Sequence, residues 1–138
     1  MIGTQTAVSL KPARDDATLM FQEAAQASAV VARQLGRNRA VMADLGARLR
    51  ALAPRAVITC ARGSSDHAAP FARYLIETRI GVLTSSAAPS VSSLYETAGE
   101  REGVVCIAIS QSGKSPDLLS SAHAAKTGGA FLIALVNV

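Results

Sequence analysis

The residues best suited to chemistry lie in the run Ile109-Ser110-Gln111-Ser112-Gly113-Lys114-Ser115-Pro116-Asp117. A strand there delivers a turn carrying three hydroxyls, one amide side chain and a glycine, and a helix then begins. Pro116 fits the first helical position, where its missing N–H costs nothing, and Ser115 precedes it as an N-cap. Backbone N–H groups, Ser and Gln donors and the positive end of a helix therefore converge, which is what a phosphate dianion requires. Gly113 lets the backbone approach without a Cβ in the way. Lys114 either adds charge or faces water. An ordinary capped loop uses the same residue types, because Ser and Gly are common in turns. A second turn, Gly63-Ser64-Ser65, follows another strand and can offer hydroxyls and N–H groups to the same ligand. Neither GxxxxGK[ST] nor GxGxxG occurs, which removes nucleoside triphosphates and dinucleotides. What remains is a small phosphorylated metabolite with several hydroxyls.

The surrounding elements must place those turns side by side. Residues 56–60 are a short β-branched run that reads as a buried strand entering the first turn. A helix over 66–79, a strand over 80–84 and a short helix near 91–97 follow. Residues 104–109 form the most strongly patterned strand, 116–126 a helix ended by Gly128-Gly129, and 130–136 a further strand. This alternation predicts an α/β fold: a doubly wound parallel sheet of about four to five strands with helices on both faces. Ligands of such sheets bind at the carboxyl ends of strands. Ahead of the sheet the pattern predicts a helix pair. Its first helix covers 18–35, capped by Asp15 or Asp16; Gly36 and Asn38 interrupt, and a second helix runs to Leu52 before Pro54. The arginines at 33, 37, 39, 48 and 50 fall on the solvated sides. The organisation expected is a mobile arm over 1–17, packing helices over 18–52 and an α/β domain over 53–138. That domain stops at the end of a core strand, Leu135-Val136-Asn137-Val138, without a closing helix. It is therefore expected to be the front part of a longer protein, prone to self-association through that strand.

Composition narrows the function classes. The 138 residues are 49% hydrophobic and 17% charged, which excludes disordered and low-complexity chains. Twenty-seven alanines and only 4% aromatics suit tightly packed helices on a sheet. The net charge is +4, but the cations are scattered and no aromatic platform lies between them, so nucleic-acid binding is not expected. Cys60 and Cys106 lie in apolar runs with no CxxC or Cys/His cluster, so they read as buried reduced thiols, and no metal is expected. The N-terminus does not read as a secretory signal, and no apolar stretch is long enough to cross a bilayer. The expectation is a cytoplasmic protein with no membrane partner.

Arg62-Gly63-Ser64-Ser65 and Ser110-Gln111-Ser112-Gly113-Lys114-Ser115-Pro116-Asp117, about two βα units apart, resemble the sugar isomerase (SIS) family. Met20-Phe21-Gln22-Glu23 and Ala134-Leu135-Val136-Asn137 resemble it too. The likeness covers the chain from about residue 18. The Ser-Pro-Asp form and the Gly-Ser-Ser-Asp-His turn are most similar to the glucosamine-6-phosphate deaminase type. The isomerising glutamine–fructose-6-phosphate aminotransferase is near, usually with an acidic residue at the place of Lys114 and Thr-Ala-Asp at the place of Ser115-Pro116-Asp117. The resemblance implies a flavodoxin-like sheet and the first of two tandem SIS domains. It implies Ser110, Gln111, Ser112 and Ser115 on the substrate phosphate and Gly63, Ser64 and Ser65 on the sugar. It implies no cofactor, a hexose or hexosamine phosphate as ligand, and a homodimer. The activity implied is conversion of glucosamine-6-phosphate to fructose-6-phosphate and ammonia. The family's acid/base Glu, Lys and ring-opening His have no matching position here, so the catalytic residues stay unassigned.

The other candidates carry less. His67 lies just after the first turn, where a structural place is the plainer account, and His123 sits on a helix among alanines. Glu77, Glu96, Glu100 and Glu102 show no paired-carboxylate spacing at a strand end. Asp117, in the first turn of its helix, reads as a partner of the helix dipole, and Glu23 as solvated helix surface. Two further readings stand beside the deaminase: the isomerase domain of an isomerising aminotransferase, and a non-catalytic module that senses a sugar phosphate. No helix-turn-helix with a basic recognition face accompanies it.

Overall fold

The computed structural model describes residues 18–88 and 99–137. The chain divides into two compact units, Met1–Leu45 and Gly46–Val138. Helix α1 is a single helix of 34 residues, Leu19–Leu52, and the boundary between the units falls within it. This corrects the expected helix pair. Gly36 and Asn38 do not interrupt the helix, because one interior glycine costs only about 1 kcal/mol relative to alanine and neither residue lacks a backbone N–H. Ala, Leu, Arg, Gln and Met on either side are strong helix formers, and two separate helices would each need a costly nucleus. Thr18 caps the helix: the Phe21 N–H donates to Thr18 Oγ1 at 3.3 Å. The helix ends where Ala53 turns to φ 44° ahead of Pro54. The expected caps Asp15 and Asp16, the arm over 1–17 and the short helix near 91–97 lie outside the described residues.

The strands described in the second unit are β1 (Ala56–Ala61), β2 (Thr84–Ser86), β3 (Val104–Ser110) and β4 (Phe131–Val136). Uncharged runs rich in Val, Ile, Ala and Cys make β1 and β3 the buried central pair, whereas β2 and β4 are more exposed. They form one four-stranded parallel sheet in the order β2-β1-β3-β4. Helix α2 (Ala68–Ile80) follows β1 through a 3-10 turn, Gly63–His67, and α3 (Pro116–Thr127) joins β3 to β4. On one face, Leu118, Ala122 and Ala125 of α3 pack on Cys60, Cys106 and Ala108, with Ile58 and Leu132 alongside. On the other, Val57, Val105, Ile107 and Ile133 share an apolar cavity of about 620 Å3 with Ile76 and Ile80 of α2. Helices thus cover both faces of an α/β sheet.

The second strand lies further along than the pattern predicted. Ile80 ends α2, and Gly81 at φ 75° donates its N–H to the carbonyls of Ile76 and Glu77, each at 3.2 Å. A left-handed glycine there closes the helix and delays the strand to Thr84. The Thr84 N–H then donates to Glu77 Oε1 at 3.0 Å, tying the strand back to the helix.

The strand order matters most for function. From β1 the chain passes to β2 on one side, whereas β3 lies on the other, so the connections diverge between β1 and β3. That divergence is the switch point where doubly wound sheets leave a crevice. Ala61 is in register with Ile109, so the two strands end level with each other.

Candidate functional site

The two Ser/Gly turns leave those level strand ends. Ser110 closes β3 and is 8% exposed. Its Oγ accepts the Gly113 N–H at 2.9 Å, folding the chain back on itself. Gly113 adopts φ 65°, a left-handed conformation that disfavours a side chain. Val136 at the end of β4 lies behind it, 3.5 Å from where a Cβ would stand. Ser112 Oγ accepts the Lys114 N–H over a longer 3.3 Å. Ser115 occupies the N-cap position of α3 with extended backbone, φ −66° and ψ 119°, and Pro116 follows as expected. The Ser115 hydroxyl makes no capping hydrogen bond, so the first-turn donors of α3 are not taken up by it.

Across the crevice, Gly63 at φ 60° opens the 3-10 turn, with nothing within 4 Å of its absent Cβ. Ser64 is exposed and Ser65 half-buried. The turns are joined by an ion pair between Arg62, last before Gly63, and Asp117, in the first turn of α3. The topology thus brings Ser110, Gln111, Ser112 and Ser115 beside Gly63, Ser64 and Ser65. Donors from two turns, a left-handed glycine and an uncapped helix start make an arrangement that can accept an anion bearing hydroxyls.

Other candidates fall elsewhere. Lys114 and His67 are exposed. His123 is exposed on α3, its Nε2 3.5 Å from Thr127 Oγ1. Glu77 Oε1 binds Arg73 Nε at 3.1 Å as well as the Thr84 N–H, which is a structural use of that carboxylate. Glu23 is exposed on α1, and Glu96 lies outside the described residues. The sequence reading missed the Arg62–Asp117 pair. It also missed a second cavity of about 160 Å3, lined by Thr59, Asp66, Ala69, Pro70, Arg73 and Ser86 near the carboxyl ends of β1 and β2. The only available signal for that cavity was polar residues closing two neighbouring strands, and strand pairing was not readable in advance. None of the site serines lines the large apolar cavity.

The two cysteines are free and buried under α3, as expected. Burial raises the Cys60 thiol above its ordinary range, and burial together with the neighbouring Cys60 pushes Cys106 up to about 11. Both stay protonated near neutral pH, which makes them poor nucleophiles. Among the described residues no helix is long and apolar enough to cross a membrane.

The sequence model of the SIS domain matches residues 53–138. The chain belongs to the SIS domain family. Both Ser/Gly turns fall inside the matched region. A glutamine–fructose-6-phosphate aminotransferase (isomerizing) of Symbiobacterium thermophilum is 34% identical over 92 residues, spanning 67% of this chain and 15% of that protein. A provisionally named phosphosugar isomerase of Silicibacter pomeroyi superposes with a TM-score of 0.82 at 37% identity, covering 85% of this chain and 36% of that one. The C-terminal domain of the glucosamine-fructose-6-phosphate aminotransferase of Francisella tularensis gives a TM-score of 0.55 at 27% identity, over 66% of this chain and 26% of that one. The chain therefore spans about a seventh of the curated relative and about a third of the first solved one.

Proposed function

We propose that this SIS domain binds the phosphate of a hexosamine phosphate and serves an isomerase that deaminates it. The supporting observation is the convergence of two hydroxyl-bearing turns at the switch point, beside a helix start that its own serine leaves uncapped. Ser110, Gln111, Ser112 and Ser115 are read as the phosphate anchor, and Gly63, Ser64 and Ser65 as the edge that meets the sugar. In the reaction the ring of glucosamine-6-phosphate opens and a base takes the C2 proton. A proton is returned at C1, and water hydrolyses the resulting C2 imine to fructose-6-phosphate and ammonia. The anchor contributes by holding the carbon skeleton in one place while protons move, so that binding energy at the remote phosphate lowers the barrier at C1 and C2. No residue of the chain is assigned as the base. We read the protein as cytoplasmic and dimeric, in line with the family resemblance.

The aminotransferase relative favours a second reading, an isomerase domain that forms glucosamine-6-phosphate with ammonia delivered from glutamine. Turnover separates the readings: ammonia release from glucosamine-6-phosphate without glutamine supports the deaminase, and binding without turnover supports a sensing module. The phosphate site itself is tested by melting the chain with and without glucosamine-6-phosphate, native and Ser112→Ala. At a hundredfold excess over the dissociation constant the native chain gains about 2.7 kcal/mol of stability, and the variant loses most of that gain. A folded native chain with no shift, or an equal shift in the variant, refutes the site.

A further inference from the structure

We propose that Arg62 is a positioning residue that masks the Asp117 carboxylate, so that a phosphate dianion can settle at the start of α3. The proposal rests on the phosphate-site reading above and deepens it. Asp117 lies in the first turn of α3, where a carboxylate suits the helix dipole but repels any anion arriving at the same end. Ser115 leaves the N-cap uncommitted, so the approach to that end is decided by charge. Arg62 ends the chain's passage out of β1 and pairs with Asp117 from the opposite turn. One contact therefore cancels the repelling charge and links the two turns that must close on one ligand.

Masking makes a quantitative demand: affinity must follow the net charge of the pair. That charge is zero in the native chain, negative in Arg62→Gln, positive in Asp117→Asn and zero again in the double variant. A unit charge and a dianion about one helical turn apart in water alter binding by about tenfold. Equilibrium titration of the 138-residue chain with glucosamine-6-phosphate at low salt reads this directly. Arg62→Gln is expected to weaken binding about tenfold, and Asp117→Asn to tighten it by up to about tenfold. The double variant and Arg62→Lys should return to near the native affinity. At about 1 M salt, where the Debye length falls to about 3 Å, the differences should collapse.

A double variant as weak as Arg62→Gln overturns masking in favour of a direct Arg62–phosphate contact. Asp117→Asn weakening as much as Arg62→Gln overturns it in favour of a purely structural latch. That variant alone decides if Arg62→Gln fails to fold, which melting without ligand detects. Native binding left unchanged in Arg62→Gln refutes this proposal alone. No binding by a folded native chain refutes the phosphate-site reading and the proposal with it.

Discussion

Ser110 and Ser112 lie two residues apart in the same turn, yet their hydroxyls hold different places, and substitution should separate them. The Ser110 hydroxyl is nearly buried and accepts the Gly113 N–H at 2.9 Å, holding a residue in left-handed conformation. Ser110→Ala removes that acceptor. The net hydrogen bond is worth about 1 kcal/mol, and a half-buried N–H left without a partner adds to the loss. The expected destabilisation is therefore about 1–2 kcal/mol, a fall in Tm of roughly 3–8 °C for a domain of this size. The Ser112 hydroxyl is exposed and accepts the Lys114 N–H at 3.3 Å, a weaker bond in contact with water. Ser112→Ala should stay within about 0.5 kcal/mol of the native chain. Urea unfolding followed by circular dichroism, without ligand, measures both, with unchanged m-values confirming that the same structure unfolds. Ser110→Ala equal to native, or Ser112→Ala losing as much, would refute the view that Ser110 builds the turn while Ser112 remains available to a ligand.

Two further outcomes are expected. Folding holds Cys106 protonated up to about pH 11 against an ordinary 9.0, so the unfolded chain ionises first and pulls the equilibrium toward itself as pH rises between those values. Stability should be intact below about pH 8 and fall by about 2 kcal/mol by pH 11; urea midpoints for native and Cys106→Ala, compared by their pH slope, check this, and equal slopes would contradict it. Gly36→Ala adds a Cβ with nothing within 4 Å inside an unbroken helix, so it should stabilise the chain by about 0.5–1 kcal/mol and leave the far-ultraviolet spectrum helical. Loss of stability there would mean that the helix needs a break at Gly36.

What was legible in the residues, and what was not, follows the range of the interactions involved. Residues 56–60 read as a buried strand and residues 104–109 as the most strongly patterned one because burial on both faces selects continuous apolar runs, and both are strands in the structure. The Ser/Gly turns and Pro116 read correctly because turn and cap preferences are local. Gly36 was overread: a local dislike of about 1 kcal/mol cannot break a helix whose flanks favour it. Gly81 was underread, since the run Ile80 to Thr84 is apolar enough for a strand, and only the left-handed cap at Gly81 assigns Ile80 to the helix. Strand order was beyond local reading altogether. Nothing in Ala61 or Ile109 states that they will lie in register, and the Arg62–Asp117 pair spans 55 positions and exists only because they do.

That dependence bears on where function resides in this SIS domain. The hydroxyls of residues 110–115 are specified by one short segment, but in the proposed site the charge an incoming phosphate would meet depends on Arg62, a residue on another strand's exit. A substitution that preserved every serine and glycine while shifting β1 against β3 by one residue would keep both turns and separate Arg62 from Asp117. Phosphate affinity should therefore follow sheet register as closely as it follows the turn residues themselves. The parallel core under α3, with Cys60, Cys106 and Ala108 packed against Leu118 and Ala122, is what holds that register.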